Sequence, residues 1–107
     1  MAMSSVFETT EPERAEIDAL NGPAVLEFGV FWCGHCRAAQ PLLEEAFANY
    51  PLIRHFKIED GKGRPLGRSY RVTLWPTLIF LNDGQEIIRL VRPRNSTIVA
   101  QSLGVIG

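Results

Sequence analysis

Trp32-Cys33-Gly34-His35-Cys36 contains the only two cysteines of this 107-residue chain, three positions apart. Ahead of it, Ala24-Val25-Leu26-Glu27-Phe28 is almost continuously apolar, which predicts a strand covered on both faces. Behind it, Leu42, Leu43, Ala46 and Phe47 recur at helical spacing within residues 36–50, where Pro41 is expected to kink the helix. A cysteine at such a junction meets the positive end of the helix dipole and free backbone N–H groups, both of which favour thiolate. Thiolate is the attacking species in disulfide exchange. Cys36, one helical turn on, can close a disulfide with Cys33 and eject a bound partner. Cys33 is therefore expected to be the nucleophile and Cys36 the resolving thiol. A bridge across so short a loop adds little chain-entropy stabilisation, so the pair serves chemistry rather than framework.

A cysteine pair can also be half of a zinc site. Such a site needs four ligands, and His35 and His55 are the only histidines of the chain. His35 lies inside the cysteine loop and could not turn onto the same ion. No metal is expected, and no cofactor beyond the redox-active Cys33–Cys36 disulfide.

Outward from the cysteines, helix and strand signals alternate. Thr10 and Glu13 have capping-box spacing with Pro12 in the first turn, ahead of a helix carrying Ala15, Ile17, Ala19 and Leu20. Asn21-Gly22-Pro23 stops it. Residues 53–58 alternate, with Ile53, His55 and Lys57 opposed to Arg54, Phe56 and Ile58. A charged loop, 59–64, leads to a short helix at 66–70. Strands at 77–81 and 86–91 are joined by Asn82-Asp83-Gly84-Gln85, a hairpin signal, and Ser96 is expected to cap a last helix through 103. Val6-Phe7 is a candidate edge strand. The expectation is one α/β domain over residues 1–107, with 1–10 as a flexible leader and a mixed sheet flanked by helices on both faces.

Composition excludes several classes of function. Apolar residues make up 46% and the net charge is -1, with no basic run to attract nucleic acid. The longest apolar stretch, 24–33, is broken by Glu27 and Gly29, far short of the ~18 residues a membrane span needs. The first residues lack the basic start and apolar core of a secretory signal. A cytoplasmic monomer with no membrane or nucleic-acid partner is expected.

The cysteine motif, with Phe28 before it and Pro41 after it, resembles the active-site segment of the thioredoxin family. Trp75-Pro76-Thr77, Asn82-Asp83-Gly84 and the strand to Val91 are similar to that family's second half, so the likeness spans roughly residues 13–103. It implies the thioredoxin fold, a central mixed sheet of four to five strands. It implies thiol–disulfide exchange with protein disulfides and dithiols, and a thioredoxin reductase or glutathione as electron donor. It places Trp32, Gly34, Trp75, Pro76, Val91 and Arg92 around the bound substrate. Gly34-His35 is the dipeptide of disulfide-isomerase domains, where ordinary thioredoxins carry Gly-Pro. A partly protonated His35 beside Cys33 would stabilise the thiolate and make the couple more oxidising. The compartment instead argues for reduction, so reductant and oxidant or isomerase both stay open.

Four positions depart from the family pattern or have two readings. Glu27 stands where the family carries a buried acid, usually Asp, that exchanges a proton with the resolving thiol; alternatively it is a strand residue facing solvent. If buried, its pKa should be raised by desolvation, and its removal should stabilise the protein at neutral pH or leave its stability intact. Pro76 would be cis and lie against the cysteines, with Trp75 offering its backbone to substrate as an added strand. Trp75 is either a plug in the core or a wall of the groove. Arg92 stands where a glycine is usual and either narrows the groove or is simply solvated, as Arg37, Arg64, Arg68, Arg71, Arg89 and Arg94 are expected to be. A non-catalytic binding module on the same fold is the alternative class, opposed by the completeness of the site. A monothiol glutaredoxin-like enzyme is disfavoured by the presence of Cys36.

Overall fold

The computed structural model describes residues 3–8 and 10–107. Four strands form one mixed sheet in the order β2-β1-β3-β4: β1 (Pro23–Gly29), β2 (Arg54–Glu59), β3 (Thr77–Asn82) and β4 (Gln85–Val91). β1 pairs in parallel with β2 and antiparallel with β3, and β3 pairs antiparallel with β4. As a central strand, β1 is covered on both faces, which is why it shows an apolar run rather than an alternation.

The two faces bury separate cores. Val25, Leu78 and Phe80 pack under α2 (Gly34–Phe47) and α4 (Ser96–Ile106) with Leu43, Phe47, Val99 and Leu103. Leu26, Phe28, Ile79 and Leu81 pack under α1 (Arg14–Asp18) and α3 (Pro65–Ser69) with Ile17, Leu66 and Tyr70. Side chains of a strand alternate, so Glu27 shares the α2 face with Val25. That parity decides the chemistry below.

Element ends differ from expectation where capping chemistry was misread. α1 starts at Arg14, and its capping box joins Glu13 to Glu16 rather than Thr10 to Glu13. α2 begins two residues earlier than the apolar spacing indicated, because Cys33 itself is the N-cap, and it runs through Pro41 to Phe47. α4 is capped by Asn95, whose side chain accepts the Ile98 N–H at 2.9 Å, and it reaches Ile106. Ser96 instead donates to Glu45.

The hairpin turn at Asp83-Gly84 has positive φ at both residues, 51° and 78°, the geometry that matches the twist of the flanking strands. Val6-Phe7 is not a strand; among the described residues of this segment Glu8 alone bridges to the β2 edge opposite Ile58. Of the expected leader, Met1, Ala2 and Thr9 lie outside the described residues. No helix among the described residues is long and apolar enough to cross a membrane.

Candidate active site

β1 delivers the chain to the N-terminus of α2, and the two cysteines meet there in unlike surroundings. Cys33 Sγ accepts the backbone N–H of Cys36 at 3.2 Å, so a donor is aimed at the atom that carries charge in the thiolate. Cys33 is 9% exposed and Cys36 1%. Both are free thiols. Cys36 lies so close to the end of β1 that a Cβ at Gly29 would come 2.5 Å from its sulfur. Burial, then hydrogen bonding to Cys33, push the Cys36 thiol up to about 12, and the charges of Cys33 and Glu27 add to the effect.

Behind the pair, Glu27 is fully buried, which excludes the solvent-facing reading. Its carboxylate is held on every side. Lys57 Nζ donates to Oε2 at 2.9 Å and Gln40 Nε2 to the same oxygen at 3.0 Å. His55 Nε2 meets Oε1 at 2.9 Å. The Ser4 backbone N–H donates to His55 Nδ1 at 2.8 Å. Because a backbone N–H can only donate, Nδ1 must accept, which leaves the ring proton on Nε2 to be given to Glu27.

The expectation of a raised Glu27 pKa is overturned. Burial raises it and is the largest single influence. The hydrogen bond from His55 and the charge of Lys57, with their further contributions, together outweigh burial and hold the carboxyl below its ordinary 4.5. Gln40 also donates to the Cys36 carbonyl at 3.0 Å, so one amide ties the carboxylate to the backbone of the resolving cysteine.

The sequence reading does not single out Lys57 or Gln40, and it weighs His55 only as a zinc ligand. The alternation of β2 does put Ile53, His55 and Lys57 on one face, but their meaning comes from the parallel register that sets Lys57 opposite Glu27. Lys57 is 3% exposed, with its ammonium also 4.1 Å from the centre of the Phe7 ring.

The Trp75–Pro76 peptide bond is cis, and Pro76 is buried. Trp75 is half-buried against the cysteine cluster and edge-on to Trp32, ring centres 5.8 Å apart. Its indole N–H donates to Asp60 at 2.8 Å, which fixes the ring along the border of a groove. Trp32, Gly34 and His35 are exposed at the start of α2, and Val91 is 45% exposed across the way. His35 lines a second groove with Val91 and Arg92, and no hydrogen bond joins it to either sulfur among the described residues.

Arg92 has φ 51°, the left-handed region that explains why a glycine is usual at this position. Its N–H donates to the Pro76 carbonyl at 3.0 Å and its Nε to the Trp75 carbonyl at 2.8 Å. Arg64 pairs with Glu59 and Arg89 with Glu86, so those two are more than solvated surface. Among the described residues no group of three or more His, Cys, Asp or Glu is placed to hold a metal.

The thioredoxin family model matches residues 5–103. The structure of reduced thioredoxin 2 from Pseudomonas aeruginosa PAO1 is 49% identical and superimposes with a TM-score of 0.87, covering 97% of this chain and 96% of that one. Thioredoxin Asp f 28 of Aspergillus fumigatus is 31% identical over 91 residues, 85% of this chain and 84% of that protein. An H-type thioredoxin of Fagopyrum esculentum is 29% identical over 75 residues, 70% of this chain and 65% of that protein, just under two thirds. With the cysteine pair at the N-terminus of α2, the buried acid in the strand behind it and the cis Trp75–Pro76 bond, these likenesses establish that the chain belongs to the thioredoxin family, whose members are thiol–disulfide oxidoreductases.

Proposed function

We propose that the protein exchanges its own dithiol for disulfides in other proteins, and that the unequal surroundings of its two sulfurs order the steps. The Cys33 thiolate attacks one sulfur of the substrate disulfide. A mixed disulfide forms and the other substrate sulfur leaves as thiolate, taking up a proton. Cys36 then loses its proton, with the ionised Glu27 carboxylate nearby as a weak acceptor that passes it on, and attacks Cys33 Sγ. The substrate's second thiol is released and the Cys33–Cys36 disulfide remains. Two electrons have passed to the substrate. A reduced thioredoxin reductase or glutathione returns them, in keeping with a monomer working in the cytoplasm.

The observation that carries this reading is the Cys33 sulfur capping α2 while the Cys36 thiol sits beneath it at about 12. Insulin reduction with dithiothreitol tests it: turnover well above the uncatalysed rate is expected, and none would leave a binding module on a redox scaffold.

His35 supports a couple more oxidising than thioredoxin's, because an imidazolium near Cys33 favours the reduced thiolate form. Equilibration in glutathione buffers should give about −200 to −240 mV, and His35→Pro should move the value more negative. A wild-type potential at or below about −270 mV would remove any tuning role from His35.

A further inference from the structure

We propose that the redox end of this protein selects disulfides flanked by carboxylate side chains, and that Arg92 receives one of those carboxylates; the inference rests on the exchange activity proposed above. The chain as a whole gives no hint of it, with 11 basic and 12 acidic residues. The asymmetry appears only in space.

Two grooves border the segment from Thr73 to Trp75. One, of about 670 Å³, is lined by His35, Arg92 and Arg94 among apolar Ala38, Leu42 and Leu74, with no carboxylate in its lining. The other is lined by Arg64, Arg68, Arg71 and a single carboxylate, Asp60. Asp60 is engaged by the indole N–H of Trp75, and neighbouring Glu59 by Arg64. Arg68, Arg71, Arg92 and Arg94 form no ion pair among the described residues. Positive charge in excess of the negative charge of Asp60 and Glu59 thus brackets the strip along which a substrate chain would lie. Like-signed charge lining a cleft raises the local concentration of the opposite sign.

Arg92 is the sharpest part of this surface. Its backbone N–H is tied to Pro76 and its Nε to the Trp75 carbonyl, so the guanidinium is oriented before any substrate arrives. The two terminal nitrogens keep their N–H groups without a partner among the described residues. A planar fork held this way matches the two oxygens of a carboxylate. The carbonyl it already occupies belongs to the residue expected to pair with a substrate backbone. A carbonyl oxygen can accept two hydrogen bonds, so it can take the substrate's own N–H while Arg92 stays in place to receive the carboxylate.

The test uses two synthetic peptides with the same disulfide loop, one flanked by glutamates and the other by lysines, together with neutral 2-hydroxyethyl disulfide. At low ionic strength kcat/KM should favour the acid-flanked peptide by about tenfold or more, shrinking to a few-fold in ~0.5 M salt. Arg92→Gln should lower the acid-to-basic ratio several-fold. Arg54→Gln makes the same charge change at the other end of the sheet, on the exposed first residue of β2, and should leave the ratio intact. A wild-type ratio near one, or an equal loss from Arg54→Gln, overturns the inference. Failure to turn over 2-hydroxyethyl disulfide and both peptides overturns the exchange reading itself, and this inference with it.

Discussion

Cys36→Ser is expected to arrest exchange at the mixed disulfide, and Cys33→Ser to prevent the mixed disulfide from forming at all. A thiol pushed up to about 12 is almost wholly protonated at neutral pH, since each pH unit below the pKa is tenfold. Cys36 therefore cannot compete for the first attack. Its burial at 1% exposure also denies it an incoming substrate. Once Cys33 is linked to substrate, the target sulfur lies beside Cys36, and proximity replaces intrinsic reactivity. Serine at 36 keeps the size of the side chain but cannot resolve the linkage. Non-reducing electrophoresis with a disulfide substrate should show near-stoichiometric adduct for Cys36→Ser, released by dithiothreitol, and almost none for Cys33→Ser. Multiple-turnover rates should fall by about a thousandfold or more in both, because neither variant retains the thiolate its missing step requires. Equal trapping by the two variants, or trapping by Cys33→Ser alone, would reverse the assignment.

Removing the Glu27 carboxylate is expected to destabilise the protein, against the sequence-based expectation of a gain or no loss. In Glu27→Ala, Lys57 stays 3% exposed with its ion-pair partner gone. Breaking a buried pair from one side costs about 3–5 kcal/mol. Against a total of about 5–15 kcal/mol for a domain, that comes close to unfolding it. Glu27→Gln keeps the shape and an oxygen for His55, so it is the variant in which the charge can be judged separately from folding.

The pH dependence has a defined sign. A folded-state pKa below the ordinary 4.5 means that the unfolded chain takes up the proton first as pH falls. The stabilisation from Glu27 is therefore complete above that value and is lost as pH drops through the folded pKa. Denaturant unfolding should show a wide gap between wild type and Glu27→Gln at pH 7, narrowing at about pH 3. In single-turnover experiments both variants should slow release of the trapped substrate more than initial attack by Cys33. A Glu27→Ala protein as stable as wild type at pH 7 would mean that desolvation outweighs the Lys57 pair after all.

Much of the fold is legible in short-range pattern. The apolar run of β1, the helical spacing after Cys36 and the Asp83-Gly84 turn each depend on residues a few positions apart. The errors were local too: several side chains near each helix start can cap it, and spacing alone does not rank them. Thr10 and Ser96 fit the pattern, yet Glu13 and Asn95 hold the positions because the helices begin where packing on the sheet puts them.

The cysteine pair, the order of attack proposed for it and the acid in the strand behind it are read from sequence alone, because strand, turn and helix N-terminus are contiguous there. The state of that acid was not. Glu27 is held by groups 13, 28 and 30 residues away, and Ser4 sets the tautomer of His55 from a separation of 51. Whether a buried carboxylate is raised by desolvation or lowered by its partners depends on which chain segments pack over it, and only the parallel register of β2 on β1 brings Lys57 opposite. Arg92 shows the same division: its residue type is plain in sequence, while its bond to Trp75 exists because the end of β4 packs against the cis-proline loop. Local pattern specifies which elements form. Long-range closure decides which charges meet, and with that the chemistry of the site.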